Sequence, residues 1–238
     1  MYGVFYFMRE KEIGTWKIWA VTIFLFAVVI AATIRVSTLP VLNFTAKGSK
    51  VHIVIDPGHG GFDPGKVGTM GTLERDVNLN ISLKLREILT KSGYTVAMTR
   101  EKDEALCGET TGKKKVADLN ARLAVIGKEK PELTVSIHQN SYSVGTKGAQ
   151  VFYHKSSERG KILAECVQES LKSRVDGSNR RMAKENKEYY ILRTTQIPAV
   201  IVECGFLSNA EEEKLLNDTA YEERLTWAVY CGILDYFE

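Results

Sequence analysis

The sequence predicts an α/β fold built on a mostly parallel sheet. Two observations carry that prediction. Short β-branched runs alternate with amphipathic helical segments throughout residues 51–238, the pattern of a sheet covered by helices. The composition is that of a globular chain, 44% hydrophobic and 26% charged, with five prolines in 238 residues.

Val51 to Ile55 is β-branched and apolar, which predicts a strand. It runs into Asp56-Pro57-Gly58-His59-Gly60-Gly61, a turn-rich loop. Val77, Ile81, Leu85 and Ile88 recur at helical spacing and Gly93 supplies a C-cap, so Asp76 to Ser92 is a helix. Tyr94 to Met98 is a strand. Thr99 to Lys115 is polar and charged, a mobile loop. Leu119, Leu123 and Ile126 mark a second helix that reaches about Lys128. Leu133 to Ile137 and Ala149 to Tyr153 are strands. Ile162, Leu163, Val167 and Leu171 give a third helix. Ser173 to Glu188 is highly charged and has no apolar period, so it is expected to be a solvated loop. The alternative is that its Arg180-Arg181 pair grips an anionic glycan or a partner. Tyr189 to Leu192 and Ala199 to Val202 are predicted strands, and Glu211 to Leu216 and Tyr221 to Tyr236 are closing helices.

Six of the 32 Lys and Arg and two of the 29 Asp and Glu fall in residues 1–50, which leaves 26 against 27, or −1, for residues 51–238. A near-neutral body lacks the basic excess of nucleic-acid-binding domains, and no nucleic-acid partner is expected. Ile18 to Ile34 is seventeen residues without a charge, preceded by Arg9, Lys11 and Lys17. At ~1.5 Å per residue it would cover about 25 Å as a helix, slightly short of a ~30 Å hydrocarbon core. Residues 1–35 therefore suit a signal peptide or an uncleaved signal anchor that contacts the membrane and sends the rest across. Residues 36–50 are a linker, and residues 51–238 form a single domain. The four cysteines, Cys107, Cys166, Cys204 and Cys231, show no CxxC pairing. At least the last three are expected to be small buried hydrophobes.

Three side chains with metal-ligating chemistry sit just beyond strands or in adjoining loops. His59 follows the first strand, Glu74 opens the helix after the glycine-rich loop, and His138 follows Leu133–Ile137. Two imidazoles and one carboxylate suit Zn²⁺ and leave its fourth position to water. Glu203 ends Ala199–Val202. In a parallel sheet the C-terminal strand ends share one edge, which would gather His59, His138 and Glu203. Asp56 could hold a ligand imidazole by a hydrogen bond, or cap its loop. Arg193 is a candidate for a peptide carboxylate or an oxyanion, against a surface salt bridge. Asn140 would orient a ligand or serve a turn.

Four ordered motifs go further than spacing: Ile55-Asp56-Pro57-Gly58-His59-Gly60-Gly61, Glu74-Arg75-Asp76-Val77-Asn78-Leu79, Ser136-Ile137-His138-Gln139-Asn140 and Pro198-Ala199-Val200-Ile201-Val202-Glu203-Cys204-Gly205-Phe206-Leu207-Ser208-Asn209. Through them Val51 to Phe237 resembles the catalytic domain of N-acetylmuramoyl-L-alanine amidase family 3. Gln139 departs from the small or apolar residue common in the family at that position. The resemblance implies a mixed, mostly parallel sheet flanked by helices. It implies one zinc per chain on His59, Glu74 and His138, with Glu203 as catalytic carboxylate. The implied reaction cuts the lactyl–L-alanine amide of peptidoglycan.

The short single-domain form behind a hydrophobic segment is similar to the spore-cortex branch of that family. That branch acts between the forespore membranes, ahead of a muramic acid deacetylase, on the way to muramic-δ-lactam. The sequence carries no wall-binding repeats, so targeting is expected to come from the N-terminus or from a partner, a spore lipoprotein or a second copy of the chain. Two rival functions remain at this point. One is a zinc carboxypeptidase or endopeptidase acting on stem peptides. The other is a non-catalytic wall-binding protein, against which the complete set of three ligands and Glu203 argues.

Overall fold

The computed structural model describes residues 19, 22–26, 51–108 and 113–238. The expected signal segment (1–35) and linker (36–50) therefore lie almost wholly outside the described residues. Residues 19 and 22–26 are helical and exposed, in a unit, Met1–Phe44, separate from Thr45–Glu238. Among the described residues no helix is long and apolar enough to cross a membrane.

The second unit runs β1 (His52–Pro57), α1 (Glu74–Lys91), β2 (Thr95–Met98), α2 (Lys114–Glu129), β3 (Leu133–Asn140), β4 (Gln150–His154), α3 (Glu158–Arg174), β5 (Lys184–Asn186), α4 (Tyr190–Thr194), β6 (Ala199–Phe206), α5 (Ala210–Leu216) and α6 (Thr219–Phe237). The strands form one sheet in the order β2-β1-β3-β6-β4-β5. All neighbours are parallel except β4 and β6, so the sheet is mixed and mostly parallel, as predicted.

A parallel sheet must be covered on both faces, which is why β1, β3 and β6 are buried almost throughout. Ile53, Ile55, Val135, Ile137, Val200 and Val202 join the main core, together with Leu85 of α1, Leu163 of α3 and Leu225 of α6. On the opposite face Val54 meets Ile126 of α2 and Ile191 of α4.

Three sequence expectations are corrected. Tyr189 to Leu192 is not a strand: Tyr190–Thr194 is a short helix. An apolar run of four has no period that separates strand from helix. Here the Asn186 side chain caps the turn by accepting from the Glu188 and Tyr189 amides at 2.7 and 2.8 Å. The buried pair then splits, Ile191 towards Val54 and Leu192 towards Phe152. The charged stretch after Arg174 is not all loop, because Lys184–Asn186 forms the edge strand β5. A solvated edge strand carries polar residues and so shows no apolar alternation. Finally, β3 and β6 run past their apolar stretches, to Asn140 and Phe206. His138 and Glu203 thus lie inside strands and face each other in register.

All four cysteines are free, Cys204 and Cys231 buried and Cys166 half-buried. Cys107 is likewise half-buried, on the loop before α2; residues 109–112 of that loop lie outside the described residues.

Candidate metal centre

The site forms where β1, β3 and β6 end together. The chain leaves β1 through Gly58, and only glycine fits there. A Cβ would stand 2.2 Å from Cε1 of His138, so Gly58 is what lets that ring approach. His59 then adopts a left-handed backbone with φ of 61°. This conformation costs a non-glycine residue about 1 kcal/mol or more, and persists only when its surroundings fix it. Arg122 supplies that constraint: its guanidinium donates to the carbonyls of His59 and Pro57. Gly60 and Asp63 close the turn with reciprocal backbone hydrogen bonds of 2.9 and 3.1 Å.

The loop then returns to α1. Glu213 of α5 clamps it by accepting from the amides of Met70 (2.9 Å) and Thr72 (3.2 Å). Glu74 opens α1 with its carboxylate buried, and Oε1 lies 3.2 Å from His59 Nε2 and 3.0 Å from His138 Nδ1. The Gln139 amide donates to the same oxygen at 3.1 Å and the Lys66 amide to Oε2 at 2.8 Å. Burial alone would raise the Glu74 pKa, but the two imidazoles overcome it and hold the group ionised, well below the usual carboxylate range. Gln139, the departure from the family pattern, is buried and donates to Asn78 Oδ1 at 3.2 Å. Asn78 in turn donates to the Gly58 carbonyl at 3.1 Å, so Gln139 braces α1 against the β1 loop.

Ligand atoms of His59, Glu74 and His138 lie within 4.8 Å of one another, the one group among the described residues able to hold a metal ion. The donor set fits zinc: two imidazole nitrogens and one ionised carboxylate, the three-ligand set of a catalytic zinc site. His59 Nδ1 is 3.0 Å from Asp63 Oδ2. With Asp63 accepting a hydrogen from Nδ1, Nε2 is the nitrogen turned to Glu74, and it would serve as the ligand atom once a metal ion takes the place of its proton. Burial opposes protonation of His59, yet the neighbouring carboxylates of Glu74 and Asp63 raise its pKa.

Glu203 faces His138 from β6 and is 6% exposed. Its Oε1 accepts from the Tyr189 hydroxyl at 3.2 Å, while Oε2 is buried without a hydrogen-bond partner among the described residues. Burial is the main cause that pushes this carboxyl up to about 7; the Glu74 carboxylate adds to it, and the imidazoles oppose it. A carboxylate tuned near neutrality can take up and return a proton. The adjoining cavity, about 200 Å³, is lined by His59, Asp63, Lys115, Leu119, His138 and Ile191 among others.

The remaining sequence candidates are placed elsewhere. Asp56 makes no hydrogen bond to an imidazole among the described residues. It is fully buried and binds Arg122 Nη1 (2.8 Å), Thr99 Oγ1 (2.6 Å) and Ser136 Oγ (2.6 Å). The imidazole contact expected of it belongs to Asp63. Asn140 accepts from the Ser141 amide at 2.7 Å, the turn alternative. Arg193 is exposed on α4, its guanidinium 5.1 Å from the Tyr190 ring centroid. Sequence reasoning missed Asp63, Arg122 and Tyr189. Asp63 follows His59 by four residues in the glycine-rich loop, a spacing that was available as a signal. Arg122 sits three residues after Leu119 and four before Ile126, a charged residue on an apolar helical stripe. No local pattern marks Tyr189.

Comparison with known proteins bears on this geometry. Residues 53–235 match the family model described as N-acetylmuramoyl-L-alanine amidase. The germination-specific N-acetylmuramoyl-L-alanine amidase of Bacillus subtilis (strain 168) is 36% identical over 189 residues, 78% of this chain and 79% of that protein. The CwlD amidase from Clostridioides difficile, solved in complex with the GerS lipoprotein, is similar with a TM-score of 0.76 at 42% identity, covering 79% of this chain and 98% of that one. The amidase AmiC2 of Nostoc punctiforme gives 0.67 at 31% identity over 79% of this chain and 98% of its own.

Proposed function

This chain belongs to the N-acetylmuramoyl-L-alanine amidase family, and we propose that it hydrolyses the lactyl–L-alanine amide of peptidoglycan at a zinc centre held by His59, Glu74 and His138. The observation that carries this reading is the convergence of those three side chains beside a buried carboxylate with one unpartnered oxygen. Zinc bound there would supply Lewis acidity, lowering the pKa of a coordinated water towards ~7 and polarising the amide carbonyl.

The chain's own residues do the rest. Glu203 takes the proton of the attacking water on Oε2 and returns it to the leaving L-alanine nitrogen. Tyr189 holds Oε1 in place, so that Oε2 is the oxygen left to work. Asp63 orients His59. Asp63→Asn is expected to weaken zinc binding about 10–100-fold, measured by competition with a chromogenic chelator; an unchanged affinity would remove this role.

We place the reaction in spore cortex maturation, upstream of a muramic acid deacetylase and muramic-δ-lactam. Likeness to the B. subtilis germination-specific amidase and to CwlD supports that setting. The GerS complex of CwlD supports a lipoprotein partner. Export by the N-terminal segment follows from the site of the substrate. Zinc quantification and mass analysis of digested peptidoglycan test the chemistry together. One zinc per chain, release of intact stem peptides and bare glycan are expected. Trimmed peptides still attached to glycan would instead indicate a carboxypeptidase or endopeptidase.

A further inference from the structure

A second cavity, about 360 Å³, is lined by residues of β3, β4, β5 and β6. We propose that it binds a free carboxylate on the peptide side of the substrate, two or three residues beyond the amide that is cut; this rests on the amidase reading above.

Strand register places the cavity. Glu203 of β6 pairs with Gln150 of β4, and Phe152 of β4 pairs with Lys184 of β5. Paired residues on neighbouring strands share a face, and Gln150 and Phe152 are two apart, so all four side chains lie on the face that carries His138 and Glu203. Tyr189, which holds Glu203, stacks edge-on against Phe152 at 5.4 Å between centroids, so one aromatic pair links the cavity lining to Glu203. From β6 to β5 is two strand spacings, roughly 10 Å. An extended peptide covers that in about three residues.

The lining sets the chemistry. Phe152 and Phe206 form apolar walls, Asn140 and Gln150 offer amides, and Arg181 and Lys184 bring two positive charges. Among the described residues no carboxylate lines the cavity. Arg181 is held by neutral partners only: its Nε donates to the Lys147 carbonyl at 2.9 Å, its Nη1 donates to Gln150 Oε1 at 3.1 Å, and its guanidinium covers Phe206 at 4.7 Å. Glu212, which feels the Arg181 charge, is buried and engaged by the amides of Gly148 and Phe206, both at 2.9 Å. Neither Arg181 nor Lys184 has an ion pair among the described residues. The guanidinium is thus positioned but not neutralised, a receptor for an anion.

The substrate's own chemistry selects the occupant. In a muramoyl peptide the sugar carboxyl is tied up in the amide and the glycan presents neutral hydroxyls and acetamides. The free carboxylates lie on the peptide. An acidic peptide therefore fits this cavity, and the glycan lies on the other side of the centre.

Calorimetric titration of the full chain with two free stem peptides tests this directly. The peptides differ only in whether the carboxylates at their second and third residues are free or amidated. Wild type is expected to bind the acidic peptide about tenfold more tightly, the scale of one charge-assisted contact. Lys184→Met keeps the aliphatic stem and is expected to weaken the acidic peptide towards the amidated one; Lys184→Glu is expected to reverse the preference. Equal binding of both peptides by wild type, or an undiminished preference in both variants, overturns the proposal. Binding of a free peptide needs no cleavage. Peptide release from intact glycan by the same preparation reports on the amidase reading separately.

Discussion

Glu203→Ala and His59→Ala are expected to fail in different ways. Glu203→Ala should keep one zinc per chain while turnover falls ~10²–10⁴-fold, the range for loss of a positioned general acid–base. His59→Ala should lose both metal and activity. The contrast follows from where each side chain stands. Glu203 contributes no atom to the three-residue cluster, and its Oε2 has no protein partner to lose. His59 is one of the three proposed ligands, held by Asp63 on one nitrogen and facing Glu74 with the other. Metal content is read by elemental analysis after dialysis, and turnover by release of stem peptide from glycan. Near wild-type turnover in Glu203→Ala would sink the proton-transfer role. Full zinc content in His59→Ala would sink the ligand assignment. Glu203→Gln serves as a control for packing, because it keeps the shape and the Tyr189 contact while removing the base.

Much of this site could be read from the chain before any coordinates, for an identifiable reason. His59, Glu74, His138 and Glu203 each sit at the end of an apolar run or at the opening of a helix. A parallel sheet delivers such positions to one edge. The supporting residues obey no local rule. Arg122 and Asp56 are 66 residues apart, and Tyr189 reaches Glu203 from a segment misread as a strand. Their partners are set by tertiary packing, which a pattern of apolar spacing does not encode. The same holds for β5. It is polar because it is an edge, and its presence shows only when β4 is there to pair with it. The fold class needed only alternation of strands and helices. The support of the candidate metal centre needed the sheet itself.

Arg122→Met is expected to destabilise the domain by about 3–5 kcal/mol, the cost of leaving one partner of a buried ion pair alone. For a domain of this size that lowers Tm by roughly 6–20 °C. Asp56 is 0% exposed, and Arg122 is its only ion-pair partner among the described residues. Thr99 and Ser136 would remain, but two hydroxyl donors do not replace a charge in a dry site.

The pair also predicts a pH dependence. Burial would raise the Asp56 pKa, but Arg122, Ser136 and Thr99 more than offset it and bring the group from 3.8 down to about 2. A depressed carboxylate stabilises the fold above its unfolded value and loses that stabilisation as pH falls through the folded one. Roughly 2–3 kcal/mol should therefore disappear between about pH 5 and pH 2 in wild type. Chemical denaturation at several pH values measures it, and Arg122→Met should flatten that slope.

The consequence reaches the metal. Arg122 also donates to the carbonyls of Pro57 and His59, which hold His59 in its left-handed conformation. Loss of the guanidinium removes that restraint, and His59 relaxes towards ordinary backbone angles with its ring no longer aimed at Glu74. Zinc affinity should then fall in Arg122→Met although no ligand is touched. A variant that loses stability but binds zinc as wild type does would confine Arg122 to the core. A variant that keeps its stability would show that the ion pair is not what holds this end of the sheet.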